Sequence, residues 1–180
     1  MQRVVVIGSA GVGKSSLGER LARALEAPFV ELDALFWEPN WVEATDEVFT
    51  ARIVAATAGD RWVVAGNYRR LGEPLLWPHA DRIIWLDLPL RVTVLRLARR
   101  IWRRWRTREV LWGTNVERFW PQLRLWDPKA SLLAFMLTTH AERRRQCLEA
   151  MRQPEYRARF VRLTSAREVE AFARAVEAGL

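Results

Sequence analysis

The sequence predicts a three-layer α/β domain in which a five-stranded parallel sheet lies between helices. Three observations carry that prediction. The apolar run Val4-Val5-Val6-Ile7 passes through a glycine-rich turn straight into an amphipathic helical pattern; four more apolar runs of strand length follow; helical periodicities separate them. Strands that alternate with helices pair in parallel, because the helix supplies the long crossover that parallel pairing needs.

The first element is the most specific. Gly8, Gly13, Lys14 and Ser15 fill the pattern G-x-x-x-x-G-K-[ST] without a gap, within Gly8-Ser9-Ala10-Gly11-Val12-Gly13-Lys14-Ser15-Ser16. A strand that turns sharply into a helix points the helix's first free N–H groups at one place, and an anion suits that place. Glycines at 8, 11 and 13 permit backbone conformations that a side chain blocks, so the loop can close round a phosphate. Lys14 is then expected on the β- and γ-phosphates of a nucleoside triphosphate, and the Ser15 hydroxyl on Mg²⁺. An ordinary glycine turn is the bland alternative. The flanks argue against it: Val4 to Ile7 suit a buried parallel strand, and Leu17, Leu21, Ala24 and Leu25 fall on one helical face.

Composition bounds the rest. A chain of 180 residues, half of them hydrophobic, is long enough for one domain with a real core. Twenty-nine basic against twenty-one acidic residues leave a net charge of +8, which favours acidic partners: nucleotides, nucleic acid or membrane headgroups. The single cysteine, Cys147, excludes a disulfide framework and a structural zinc site, and suits a reducing cytosol. Neither a basic start with a long apolar segment nor a run of about 18 apolar residues is found, so a cytoplasmic location without membrane spanning is expected.

Beyond the first helix, Pro28 breaks the pattern, and Phe29-Val30-Glu31-Leu32-Asp33 reads as a second strand ending in a carboxylate. Ligands of parallel sheets sit beyond the carboxyl ends of the strands, so Asp33 is placed to polarise an acceptor hydroxyl, accept its proton or hold a metal-bound water; a helix cap is the alternative. The aromatic, proline-broken stretch from Ala34 to Trp41 reads as a loop, with Trp37 and Trp41 either stacking on a ring of the substrate or packing a lid against the core. Thr45 or Asp46 caps a helix to about Ala58 that buries Val48, Phe49, Ile53 and Ala56. Trp62 to Ala65 form the third strand. Its exit, Gly66-Asn67-Tyr68-Arg69-Arg70, has the composition of a substrate loop, or of a solvated turn.

Arg82 to Asp87 form the fourth strand, stopped by Pro89; His79 before it is a loop residue without a histidine or cysteine partner. The helix that follows carries an apolar stripe of Val94, Leu97, Ile101 and Trp105 among seven arginines: Arg96, Arg99, Arg100, Arg103, Arg104, Arg106 and Arg108. Such a face clamps a transferring phosphoryl group, tracks a nucleic-acid backbone, or is simply solvated. Residues 109 to 130 hold three tryptophans, a glycine and two prolines and are expected to form an ordered, mobile lid. Asp127 and Pro128 then open a helix to about Met151, with His140 as a helix residue and Arg143, Arg144 and Arg145 at a solvated or phosphate-facing end. Arg159 to Leu163 are the fifth strand. Ser165 with Glu168 makes a capping box for a last helix buried through Val169, Phe172 and Val176.

With these residues in place, the chain resembles the P-loop kinases of small molecules, the nucleoside monophosphate and shikimate kinase group, over essentially its whole length and most strongly from Gly8 to Ser16. It also looks like a bacterial group known as DNA topology modulation (FlaR-like) or adenylate-kinase-like proteins, through LDALFWEPNW (32 to 41), WVVAGNYRR (62 to 70) and DRIIWLDLPLRVTVLRLARR (81 to 100). The resemblance implies a strand order of 2-3-1-4-5, an Arg96 that packs on the nucleotide base, and an Arg100 that contacts phosphate and opens the lid. Asp33 falls near the acceptor-side carboxylates of the shikimate-type kinases. One departure is clear: many relatives end the third strand with a metal-supporting aspartate, and here the place reads Ala65-Gly66-Asn67.

The expectation is a single P-loop kinase-like domain over 1–180 with a lid-like insertion at about 101–130, using ATP and Mg²⁺ to phosphorylate a small acceptor, a nucleotide or nucleoside among the candidates. Gly8 to Ser16, Arg96 and Arg100 would hold the nucleotide, with Ser15 on the metal. Lys14 would stabilise the transferred phosphate, Arg100 with Arg103 or Arg104 would neutralise developing charge, and Asp33 would orient or deprotonate the acceptor beside Trp37, Asn67 and Arg69. The rival expectation is an ATP-binding protein that associates with nucleic acid through its basic helix. A GTP-hydrolysing switch is disfavoured by the lack of N-K-x-D and D-x-x-G motifs.

Overall fold

Apolar runs and helical stripes become elements in the expected alternation. The computed structural model describes residues 1–117, 119–122, 124, 126, 127 and 131–179. In chain order the elements are β1 (Arg3–Gly8), α1 (Lys14–Ala24), β2 (Phe29–Glu31) and α2 (Leu32–Phe36), then β3 (Trp37–Glu38) and β4 (Val42–Glu43), an antiparallel hairpin. α3 (Asp46–Ala56), β5 (Trp62–Ala65), α4 (Gly72–Leu76), β6 (Arg82–Leu86) and α5 (Leu90–Thr107) follow. A second hairpin, β7 (Val110–Leu111) with β8 (Asn115–Val116), leads to α6 (Phe119–Gln122), α7 (Leu132–Arg152), α8 (Pro154–Arg157), β9 (Phe160–Leu163) and α9 (Ala166–Glu177).

The sheet runs β2-β5-β1-β6-β9 with every pairing parallel. Leaving out the two hairpins, this is 2-3-1-4-5 in the order of the sheet strands. Placing β1 in the middle explains its composition: both faces are covered, so Val4, Val5, Val6 and Ile7 are all buried. One apolar layer joins Val4 and Val6 to Leu17, Leu21, Ala173 and Val176 of α1 and α9. The other joins Val5 and Ile7 to Phe49, Ile53, Leu76 and Trp77, with Cys147 and Leu148 of α7 against it. A smaller cluster of Leu97, Ile101 and Met136 ties α5 to α7 above the carboxyl ends of the strands.

Several boundaries depart from the sequence reading, each for a local reason. β2 stops at Glu31, because Leu32 turns into the core, 1% exposed, and starts α2; Asp33 is therefore a helical residue. The long helix begins at Leu132, where the Ser131 hydroxyl caps the Ala134 N–H at 3.2 Å, instead of at Asp127 and Pro128; Pro128 lies outside the described residues. In α3 the Thr45 cap holds, accepting from Val48 N–H at 3.4 Å, and the burial falls on Phe49 and Ile53 while Val48 faces outward. Ser165 caps Glu168 as expected, but the Glu168 carboxylate reaches Thr164 N–H at 2.7 Å, one residue beyond the usual partner. Among the described residues no helix is long and apolar enough to cross a membrane.

Candidate functional site

The phosphate loop is shaped by what crowds it. A Cβ at Gly8, which has φ +145°, would lie 2.7 Å from the Leu86 carbonyl of β6, and one at Gly11, with φ +75°, would lie 2.8 Å from Leu97 Cβ on α5. Both places need glycine on two counts, conformation and space. Asn67 braces the start of the loop: its Oδ1 accepts from Gly8 N–H at 3.0 Å and its Nδ2 donates to Gly8 O at 2.5 Å. The side chain expected on the substrate is thus spent on the loop's own backbone, at the strand exit where relatives were expected to carry an aspartate.

Lys14 sits inside the loop and donates to the carbonyls of Gly8 at 2.9 Å and Ser9 at 3.2 Å. Burial pushes its ammonium down to about 8; Asp33 and Glu31 act against this, and Arg100 and Arg143 with it. Four charged groups from four elements thus converge on one lysine. Ser15 donates its hydroxyl to Glu31 Oε1, while Glu31 Oε2 accepts the Trp112 indole N–H at 3.0 Å. Glu31 was not foreseen, although two carboxylates two residues apart at a strand end were a visible signal.

Asp33 accepts the Tyr68 hydroxyl at 2.7 Å on Oδ1. Burial, and then Asp33 itself, pushes the Tyr68 phenol above its ordinary range, so it stays a donor. Trp37, half-buried, packs in T-shaped contacts with Phe36 and Trp41, with centroids 5.1 and 5.6 Å apart.

The seven arginines of the stretch 96–108, on α5 and its cap, separate into four groups. Arg100 is turned inward, and its buried Nε has no hydrogen-bond partner among the described residues; burial and the charge of Arg104 lower its proton affinity, against Glu117, Asp33 and Glu31. Arg104, expected on the phosphoryl group, is held by Glu109 at 3.2 Å and Glu117 at 4.0 Å, and Arg103 by Glu109 at 3.3 Å. The αL turn at Arg108 brings Glu109 back onto them. Arg96 donates to the Val12 carbonyl at 3.2 Å and so packs on the loop. Arg99, Arg106 and Arg108 point outward beside Trp102 and Trp105, which are 48% and 36% exposed.

A cleft opens between α7 and the carboxyl ends of β1, β5 and β6, lined by Asn67, Arg69, Glu73, Asp87, His140 and Arg143 among others. Arg69 pairs with Glu73 at 3.7 Å, and Arg143 stacks over Phe135 at 4.7 Å. Of the run Arg143-Arg144-Arg145, Arg143 alone is turned to the lysine; Arg144 joins Arg162 on the buried Asp87 carboxylate, at 3.1 and 2.5 Å. His140 is a helix residue that meets Ser9 of the loop at 3.1 Å through Nδ1.

Among the described residues no group of three or more histidine, cysteine, aspartate or glutamate side chains could by itself hold a metal. The Ser15 hydroxyl against the Glu31 carboxylate is a hard-oxygen donor pair beside an anion-binding loop, which fits Mg²⁺ shared with phosphate oxygens and water.

The sequence matches no family model. No curated protein matches it either. Solved structures do. A gluconokinase from Sinorhizobium meliloti 1021 is 24% identical, with a TM-score of 0.52 over 99% of this chain and 90% of its own. A shikimate kinase from Bacteroides thetaiotaomicron is 17% identical at 0.51, over 98% and 97%. A sugar kinase from Janibacter sp. HTCC2649 is 19% identical at 0.52, over 99% and 91%. With its glycine loop, central β1 and parallel sheet, the chain has the α/β fold of these P-loop kinases.

Proposed function

We propose that the chain is an ATP-dependent phosphotransferase that moves the γ-phosphoryl group to a hydroxyl or phosphate of a small acceptor, with residues 101–130 as its lid. The observation that carries this reading is Arg100. A buried guanidinium nitrogen without a partner among the described residues is unfavourable by itself, and above a phosphate loop it is a donor aimed at anionic oxygen. The neighbours support a small-molecule phosphotransferase: those named are a gluconokinase, a shikimate kinase and a sugar kinase.

The loop N–H groups and Lys14 hold the β- and γ-phosphates, and Arg100 stabilises the charge that builds on the transferring group. Ser15 and Glu31 would hold Mg²⁺, which supplies charge neutralisation between the phosphates when bound. Asp33, its Oδ1 fixed by Tyr68, has Oδ2 left to accept the acceptor's hydroxyl proton. Arg143 and Arg69 give the acceptor cleft a positive wall, suited to an anionic molecule. Arg104 and Arg103, engaged by Glu109, shape the lid helix.

The test is an ATP and Mg²⁺ turnover assay against a pooled panel of sugar acids, hydroxy acids, sugars, nucleosides and nucleotides, read by mass spectrometry for the gain of one phosphate. A phosphorylated product is expected; tight ATP binding with no product across the panel would overturn the reading. A second reading draws on the outward Arg99, Arg106 and Arg108 beside exposed tryptophans: association with a nucleic-acid backbone. It requires affinity that falls by roughly three orders of magnitude between 50 and 200 mM salt for six or more phosphates contacted. No binding at low salt removes it.

A further inference from the structure

Two hairpins, one of them within the lid, meet above Glu31, and each holds a tryptophan in a backbone conformation that bulky residues avoid. Trp41, between β3 and β4, has φ 61°, and Trp112, between β7 and β8, has φ 49°. Left-handed backbone at such residues costs on the order of 1–3 kcal/mol each, so surrounding contacts must impose it.

Those contacts are on hand. The two rings pack edge to face, 5.7 Å between centroids. Trp41 donates its backbone N–H to Asn115 Oδ1 at 2.8 Å and its indole N–H to the Val116 carbonyl at 3.1 Å. Asn115, 1% exposed, returns a bond from Nδ2 to the Glu38 carbonyl at 3.0 Å. The outcome of the clasp is the position of Trp112, whose indole N–H reaches Glu31 Oε2 while Oε1 takes the Ser15 hydroxyl. Each oxygen of Glu31 therefore has its own partner, one from the lid hairpin and one from the phosphate loop.

We propose that Trp112 is a positioning residue for the cation side of the site: by holding Oε2 it turns Oε1 towards Ser15, and so couples docking of the 110–116 hairpin to binding of a divalent cation with nucleotide. The inference rests on the reading of Ser15 and Glu31 given above. Coupling of this kind is reciprocal, so a cation bound at one end must steady the hairpin at the other.

Trp112→Phe keeps a ring in the aromatic stack and removes the N–H. The probes are Mg²⁺ and an imido analogue of ATP, followed by calorimetry and by hydrogen exchange of the 110–116 amides. We expect the half-saturating Mg²⁺ concentration to rise about 10- to 100-fold, the span typical of groups that orient a metal ligand, with affinity for the analogue alone unchanged within about twofold, a split that a merely structural role would not give. Mg²⁺ with the analogue should slow exchange at 110–116 in the native protein and not in the variant. Asn115→Ala, which unfastens the hairpins without touching Glu31, carries the same expectation and decides the matter if Trp112→Phe fails to fold. Glu31→Gln runs alongside. A shifted Mg²⁺ dependence in Glu31→Gln with none in Trp112→Phe or Asn115→Ala overturns the role of Trp112 alone; no shift in any of the three overturns the cation role of Glu31 with it.

Discussion

The phosphate loop and the hairpin cover above it solve the same problem, holding a geometry near charge, by opposite means. The loop is mostly local: nine consecutive residues, with Lys14 bonded to carbonyls five and six residues before it and the Asn67 amide as its brace from afar. The cover is assembled from afar, since the Trp112–Glu31 bond spans 81 residues and the Trp41–Asn115 bond 74. A local device can be recognised from spacing and damaged by one substitution. A distributed one is invisible in spacing and fails in stages.

The sharpest way to break that contrast is at the loop. Lys14→Ala is expected to lower kcat at least about 10³-fold with the circular dichroism spectrum unchanged, because the lysine acts on phosphate charge; turnover within tenfold of native would remove the loop from the chemistry. Arg100→Met, on the cover side, is expected to lose about 10³-fold in kcat and to raise stability in urea by about 1–2 kcal/mol, as a buried nitrogen with no partner among the described residues leaves the protein. A variant both inactive and less stable would make Arg100 a structural residue.

Smaller effects sharpen the comparison. Asn67→Ala removes both bonds to Gly8 and is expected to destabilise by about 2 kcal/mol, with nucleotide affinity weakened and acceptor KM little changed, a split that steady-state kinetics reads directly. Lys14→Met tests the ammonium's burial through pH. The native pKa of about 8 lies below the ordinary 10.5, so the unfolded chain holds more protons between those values, and native stability recovers as pH rises through them. The variant should therefore be more stable than native at pH 7, by on the order of 3 kcal/mol less what the lost bonds to Gly8 and Ser9 contribute, and the gap should shrink from pH 8 towards 10.5 in parallel urea titrations.

What was legible in the sequence follows the same division. The five sheet strands, the loop, α1 and the Ser165 cap depend on neighbours within a few residues, and periodicity or motif spacing reports them. The strand order came through resemblance and holds among the sheet strands. Glu31 was passed over for Asp33 because the end of β2 is set by Leu32 packing against Gly66, a contact between segments more than thirty residues apart. Arg143 could not be singled out from Arg144 and Arg145 by pattern, since only the position of α7 over the sheet decides which of three consecutive guanidiniums faces Lys14. The pairing of Arg104 depends on the left-handed turn at Arg108, which no glycine announces.

The central place of β1 also sets a schedule for the chain as it is made. Its partners β5 and β6 begin at Trp62 and Arg82, and the amide that fixes Gly8 belongs to Asn67, 59 residues later. At a synthesis rate of about 5–20 residues per second, Gly8 waits about 3 to 12 s for that brace. Meanwhile an uninterrupted apolar strand is exposed with neither neighbour yet available, the kind of segment that chaperones bind and that aggregates when they do not.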